Sequence, residues 1–325
     1  MIHVDLRRDA LARWLEAQLQ GAAFSLTPAS EDASFRRYFR ATLGDGRSYV
    51  AMDAPPGKED CRPFVHVARL LREAGVHAPQ VHAADLEQGF LLLSDLGTRT
   101  YLQALGPDSA AALFGDAIES LVRWQLATRP GELPPYDEAL LRRELNLFPE
   151  WYVGRHLKRT LSPRQSESLE KTFALLVQSA LAQPSVYVHR DYMPRNLMVC
   201  EPNPGVLDFQ DAVHGPITYD VVSLMRDAFI SWEEAQVLDW SVRYWEKARA
   251  AGLPVHADFG EFWRAFEWMG LQRHLKVLGI FARINYRDGK PRYLEDTPRF
   301  LGYAFAVCRR YRELAPLARL LEELA

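Results

Sequence analysis

The chain has 325 residues, enough for two lobes that each bury a core, and 48% hydrophobic with 25% charged residues is a globular composition. A net charge of −3 argues against nucleic-acid binding, which needs a basic face, and Cys61, Cys200 and Cys308 are too scattered for a zinc pattern or a disulfide framework. The first residues carry no apolar signal core, and no stretch approaches the roughly 18 consecutive apolar residues of a membrane helix, so a reducing, cytoplasmic location without membrane contact is the expectation.

Leu6, Ala10, Leu11, Trp14, Leu15 and Leu19 recur at helical spacing and Gly21 follows them, which predicts a first amphipathic helix packed on the next elements. Residues 24–53 change to period two. Phe35, Arg37 and Phe39 alternate with Arg36, Tyr38 and Arg40; Gly44-Asp45-Gly46 marks a turn and Tyr49–Met52 returns, which reads as a β-hairpin. The loop before it, residues 30–34, holds turn formers but no glycine. After Pro55-Pro56-Gly57 a helix is expected over about 60–74, with Phe64, Val67, Ala68 and Leu71 on one face. Residues 81–83 and 89–97 read as short strands, the second ending in a turn. Beyond Gly97 the pattern is mostly helical, with helices over about 108–127, 137–159, 162–182, 219–229, 231–250, 258–281 and 296–323. Pro149 is expected to kink or split the second of these. Ser162 with Gln165, and Ser231 with Glu234, have capping-box spacing. The fold class is α+β: a sheet-containing lobe over 1–95 and a helical lobe over 96–325.

The exception within the helical half is residues 186–210. Val186-Tyr187-Val188 enters a polar loop, Leu197-Met198-Val199 leaves it, and a third short strand ends on Asp208. Asp191, fixed between two strands, can orient a hydroxyl and take its proton. Asn196 and Asp208 offer oxygens suited to a hard cation such as Mg2+. One base, one amide and one carboxylate are a sufficient minimum for phosphoryl transfer, which needs positioning and charge neutralisation more than covalent chemistry. An Asp and an Asn five residues apart are also ordinary turn residues. The His189-Arg190 prefix, the flanking strands and the later Leu207-Asp208-Phe209 are what make the spacing a catalytic motif.

His189-Arg-Asp-Tyr-Met-Pro-Arg-Asn196, with Val206-Leu-Asp-Phe-Gln-Asp211, resembles the aminoglycoside phosphotransferase family, relatives of the protein kinases. Residues 91–97 look like that family's strand into the interlobe hinge, and Tyr219-Asp220 like the helix start after the metal motif. The resemblance implies a protein-kinase-like two-lobe fold, with a small antiparallel-sheet N-lobe, a mostly helical C-lobe and ATP between them. It makes Asp191 the base and Asn196 and Asp208 the Mg2+ ligands. Residues 32–37 become the loop over the triphosphate, with Ser34, Phe35, Arg37 and Met52 among the nucleotide-binding residues, and Ser94, Asp95 and Leu96 the hinge that meets adenine.

Residues 32–40, 52–56, 59–64 and 208–212 are similar to bacterial anomeric sugar kinases, which phosphorylate N-acetylmuramate and N-acetylglucosamine at the C1 hydroxyl during cell-wall recycling. A small amino sugar is then the implied partner. Two departures stand out. The strand Tyr49–Asp53 lacks the lysine that kinases use on the α/β-phosphates, leaving Arg37, Arg40 or Lys58 to supply the charge, and Gln210 replaces the glycine of Asp-Phe-Gly. Candidate sugar-binding residues are Asp211, Glu144 and Trp151, with Arg273 for a substrate carboxylate. The alternatives are another small-molecule phosphotransferase, for an aminoglycoside, choline or homoserine, and a nucleotide-binding regulator without turnover.

Overall fold

The computed structural model describes residues 5–30 and 35–324, apart from the side chain of Ser30. It divides into two compact units, one of residues 1–106 with 195–211, the other of residues 107–194 with 212–325.

The first unit is built on a five-stranded antiparallel sheet in the order β1-β2-β3-β5-β4 (Phe24–Ser30, Arg37–Leu43, Ser48–Asp53, Phe90–Ser94 and Val81–Asp85 respectively). The expected hairpin is β2–β3, with Arg37 opposite Asp53 and Phe39 opposite Ala51. Strand β1 was not foreseen because Pro28 interrupts its pattern; it is an edge strand, and its register shifts just after that proline. The first helix, α1 (Leu6–Gln18), lays Leu11 and Leu15 on a core of Phe39, Ala51, Phe90 and Leu92. Helix α2 (Arg62–Glu73) buries the four predicted residues and Leu70. Burial of each large apolar side chain of this kind contributes about 1.5–3 kcal/mol.

Residues 195–211 join this unit through backbone bonds that no local pattern announces. Strand β7 (Leu197–Met198) pairs with β8 (Gly205–Val206). Val199 N–H donates to the carbonyl of Arg99 at 2.9 Å and Val206 N–H to that of His77 at 2.8 Å. Next along the chain from Arg99, Thr100 caps the short α3 (Tyr101–Ala104). Gly205 is required here, since a Cβ would stand 2.7 Å from Cys200 Sγ and 2.9 Å from Leu96 Cδ1. A single cut at residue 95 does not foresee this grouping.

The second unit is helical around one two-stranded ladder, β6 (Ser185–Val188) antiparallel to β9 (Val213–Pro216). Its helices are α4 (Ala110–Leu126), α5 (Glu138–Leu145), α6 (Pro163–Leu181), α7 (Tyr219–Met225), α8 (Glu234–Ala250), α9 (Phe259–Asp288), α10 (Thr297–Arg310) and α11 (Ala315–Leu324). The Ser162–Gln165 capping box forms. The one expected at Ser231 does not: α8 begins after Glu233, and Ser231 Oγ lies 2.8 Å from the Tyr303 hydroxyl instead. Pro149 does split its helix. α5 ends at Leu145 and a π-helix runs from Phe148 to His156. The helix expected over 296–323 is broken into α10 and α11 by a 3-10 turn, Arg312–Leu314. Helix α9, with 30 residues, forms the spine of this unit and buries residues on every side from Phe266 to Leu278. Gly279 lets it approach the neighbouring chain: a Cβ there would sit 2.3 Å from the carbonyl carbon of Leu147. That approach brings the end of α5 against α9.

Candidate active site

The loop after β6 is fixed by its backbone. The carboxylate of Asp220, fully buried on the first turn of α7, accepts the N–H of His189 at 2.6 Å and that of Arg190 at 3.0 Å. Burial drives the Asp220 carboxyl up to about 7 despite those two donors. Asp191 N–H donates to His189 Nδ1 at 3.2 Å, and the Tyr192 hydroxyl donates to the carbonyl of Ala117 at 2.8 Å. Arg190 has φ +76°, a left-handed conformation that a bulky residue rarely adopts unaided. Asp191 follows it, half-buried.

Beneath this loop lies a buried ionic layer. Glu144 accepts from Arg190 Nη2 at 2.6 Å, Lys276 Nζ at 2.8 Å and Gln272 Nε2 at 3.3 Å, and from the Tyr136 hydroxyl. Lys276 also donates to the Tyr219 hydroxyl at 2.8 Å. Burial pushes the Glu144 carboxyl up, but Lys276 and Arg190 overcome it and hold the group at about 2. Burial likewise opposes the charges of Lys276 and Arg190, and the surrounding groups, Glu144 foremost, more than compensate for both.

In the first unit, Asn196 and Asp208 stand side by side, with Asn196 Nδ2 donating to Asp208 Oδ2 at 3.3 Å. Asp208, at φ +63°, has 39% of its side chain exposed. Gln210 Nε2 donates to its Oδ1 at 2.9 Å, so the residue that replaces glycine steadies the carboxylate. Phe209 is fully buried with its ring 4.7 Å from that of Phe64 on α2. The amide and carboxylate are hard-oxygen donors that could hold a hard divalent cation together with phosphate oxygens and water.

The sequence-predicted residues divide sharply. Arg37 is committed elsewhere: it donates to Asp53 at 2.5 Å and to Asp5 at 2.5 Å. The cause is the two-residue period of β2, which puts Arg37 on the face of Phe39 that carries α1. Arg36, one residue earlier, points the other way and places Nη2 3.9 Å from Asp208 Oδ1. Arg40 is paired with Asp95 at 2.6 Å. Lys58 lies over the ring of Phe35 at 5.0 Å, and Phe35 is 61% exposed. Ser34 lies outside the described residues. Met52 is fully buried in β3. Ser94 ends β5 and accepts the Gln80 N–H at 2.8 Å; Asp95 binds Arg40, Ser48 and the Gly97 N–H; Leu96 is buried.

On the expected sugar side, Asp211 is exposed and Trp151 is half-buried in the π-helix. Glu144 corrects its expectation: it is 4% exposed, and its oxygens are taken up by the ionic layer rather than offered to a sugar. Arg273 is 2% exposed, with no hydrogen-bond partner on Nη1 among the described residues. Sequence reasoning missed Arg36, Lys276, Gln272 and Tyr136. Lys276 had one signal, its position three residues after Arg273, which puts both on one face of α9.

A unit built on a five-stranded antiparallel sheet, which carries Asn196 and Asp208, and a mostly helical unit, which carries Asp191, are the parts of a protein-kinase-like fold. A family model described as "Phosphotransferase enzyme family" matches residues 25–259, and the chain belongs to that family. It is 57% identical to the N-acetylmuramate/N-acetylglucosamine kinase of Pseudomonas putida, over 98% of this chain and 97% of the relative. It is 60% identical to the protein of the same name from Pseudomonas aeruginosa, over 92% of this chain and 88% of the relative. Among solved structures, a choline/ethanolamine kinase family protein from Mesorhizobium loti shares the fold, with TM-score 0.64 at 16% identity over 98% of this chain and all of that one (100%).

Proposed function

We propose that the protein is an ATP- and Mg2+-dependent kinase that phosphorylates the C1 hydroxyl of N-acetylmuramate and N-acetylglucosamine in cell-wall recycling in the cytoplasm. The observation that carries this reading is the near-full-length identity to the two Pseudomonas kinases of that name. No helix among the described residues is long and apolar enough to cross a membrane.

In this reading Asp191 is the base. The C1 oxygen forms the new bond to the γ-phosphorus, the bond from that phosphorus to the ADP oxygen breaks, and the hydroxyl proton passes to the Asp191 carboxylate. An anomeric hydroxyl is more acidic than an ordinary alcohol, so a carboxylate base suffices. Asn196 and Asp208 would hold Mg2+, which when bound neutralises charge on the phosphate oxygens. Gln210 keeps Asp208 aimed through its 2.9 Å bond. Arg36 takes the place expected of Arg37 as the cation near the phosphates, supported by its position beside Asp208. Phe35 and Ser34 remain the proposed phosphate-loop residues, Met52 a proposed nucleotide-binding residue, and Ser94, Asp95 and Leu96 the proposed hinge of an N-lobe over 1–95. Asp211, Trp151 and Arg273 remain the proposed sugar contacts. Arg273 is the one suited to the muramate carboxylate, because its buried Nη1 has no hydrogen-bond partner among the described residues and an arriving carboxylate would satisfy it.

The test is ADP release from ATP and Mg2+ with a panel of acceptors. Release with the two amino sugars and none with aminoglycosides, choline or homoserine is expected; the reverse pattern would reject the reading. ATP binding with no acceptor-dependent release would make the protein a regulator.

A further inference from the structure

We propose that Glu144 is a positioning residue for the catalytic loop: its carboxylate pins the Arg190 side chain and so sets the direction of Asp191. The proposal rests on the kinase reading above, which gives Asp191 its role.

Arg190 adopts a left-handed backbone that must be imposed from outside, because an L side chain resists it. Two restraints meet on this residue. Asp220 on α7 holds its N–H at 3.0 Å, and Glu144 on α5 holds its guanidinium at 2.6 Å. The Glu144 bond is charge-assisted and buried, and the ring of Tyr136, 5.9 Å from the guanidinium carbon, adds a weaker contact. Lys276 on α9 ties the two restraints together, since it donates both to Glu144 and to Tyr219, the residue before Asp220. Gly279 permits this arrangement by letting α9 close on Leu147, three residues beyond Glu144. The layer holds two cations and one carboxylate, and the negative charge of Asp191 acts on both Arg190 and Lys276. Glu144 therefore does more than satisfy the buried Lys276. The Oε1 atom that accepts from Lys276 also accepts from Arg190, the residue that precedes the base.

The test is a double-mutant cycle on kcat with Glu144→Gln, Arg190→Met and the double variant, alongside a Val177→Ala control in α6 that lowers Tm without touching the loop. Glu144→Gln is expected to lower kcat about 10- to 100-fold, with KM for ATP and for sugar within about threefold, consistent with a lost positioning contact. Arg190→Met should give a similar loss, and the double variant should be no slower than the worse single variant. The Val177→Ala control should keep its kcat at temperatures below its Tm. Multiplicative losses in the double variant, or an unchanged kcat in Glu144→Gln, would overturn the proposal. Hydrogen exchange reads the same pin without turnover. Glu144→Gln should lose protection at residues 189–193 more than elsewhere, and unchanged protection there would overturn the proposal even if no acceptor sugar were found. Absent turnover in the wild type, with the exchange result as expected, would instead count against the kinase reading alone.

Discussion

The two short segments that carry the motif are built in opposite ways. Residues 189–192 sit on buried charge: Asp220, Glu144, Arg190 and Lys276 are fully or largely inside, and each holds another in place. Residues 196–208 contain a two-residue ladder, and Asp208 just after it is 39% exposed and accepts from Gln210 at 2.9 Å and Asn196 at 3.3 Å. In the proposed function, the difference fits what each part would have to do. A base must keep one direction, so its supports are withdrawn from water, where ionic contacts are strong and leaving one unpaired is costly. Ligands to a cation that arrives with phosphates and water would have to stay accessible, and Asp208 accepts from the amides of Asn196 and Gln210 with the Arg36 guanidinium nearby.

The largest effect should come from the base itself. Asp191→Asn should lower turnover about a thousandfold while shifting Tm little, because the side chain is only half-buried and the loop backbone is held by Asp220. A large fall in Tm would blur the contrast between base and scaffold. Asp208→Asn should lower turnover about a hundredfold and raise the Mg2+ concentration needed for half activity, again with little change in Tm. An unchanged Mg2+ requirement would take Asp208 out of the metal role.

Arg36 and Arg37 offer a smaller comparison between neighbours. Arg36→Met should raise KM for ATP about tenfold, whereas Arg37→Met should chiefly lower Tm, because it strands the fully buried Asp53 with only Arg7. The opposite assignment of effects would restore Arg37 as the phosphate cation.

The smallest test is of acid stability. Glu144 is held at about 2 against an ordinary carboxyl value of 4.5. A depressed folded value means its contribution is present above about 4.5 and lost as pH falls through about 2, a span worth about 3 kcal/mol. The Tm difference between the wild type and Glu144→Gln should therefore shrink as pH falls from 4.5 toward 2. A constant difference would show that the cations do not hold that carboxylate. Asp220 acts in the opposite sense, since a carboxyl raised to about 7 favours the fold at low pH and loses that advantage as pH rises through 7.

Much of this was legible because it is local. The Asp191–Asn196–Asp208 spacing, the β2–β3 hairpin, the apolar face of α2 and the Ser162 cap are all written within a few residues. Arg37 was misread although the alternation was in plain view: period two tells which residues share a face, but not which face carries α1. Glu144 was misread for a different reason. A carboxylate on a polar helix looks solvated until its partners, 46 and 132 residues away at Arg190 and Lys276, are brought to it by α9 and by the space left at Gly279. Strand β1 was hidden by Pro28, which only an edge position can tolerate.

The most direct test of the central claim is phosphorus-31 NMR of the reaction with ATP, Mg2+ and N-acetylglucosamine. The account predicts a new phosphomonoester signal split into a doublet by the single anomeric proton, growing with ADP and absent with Asp191→Asn. A phosphoester coupled to two protons, as a C6 product would give, or release of inorganic phosphate alone, would contradict it.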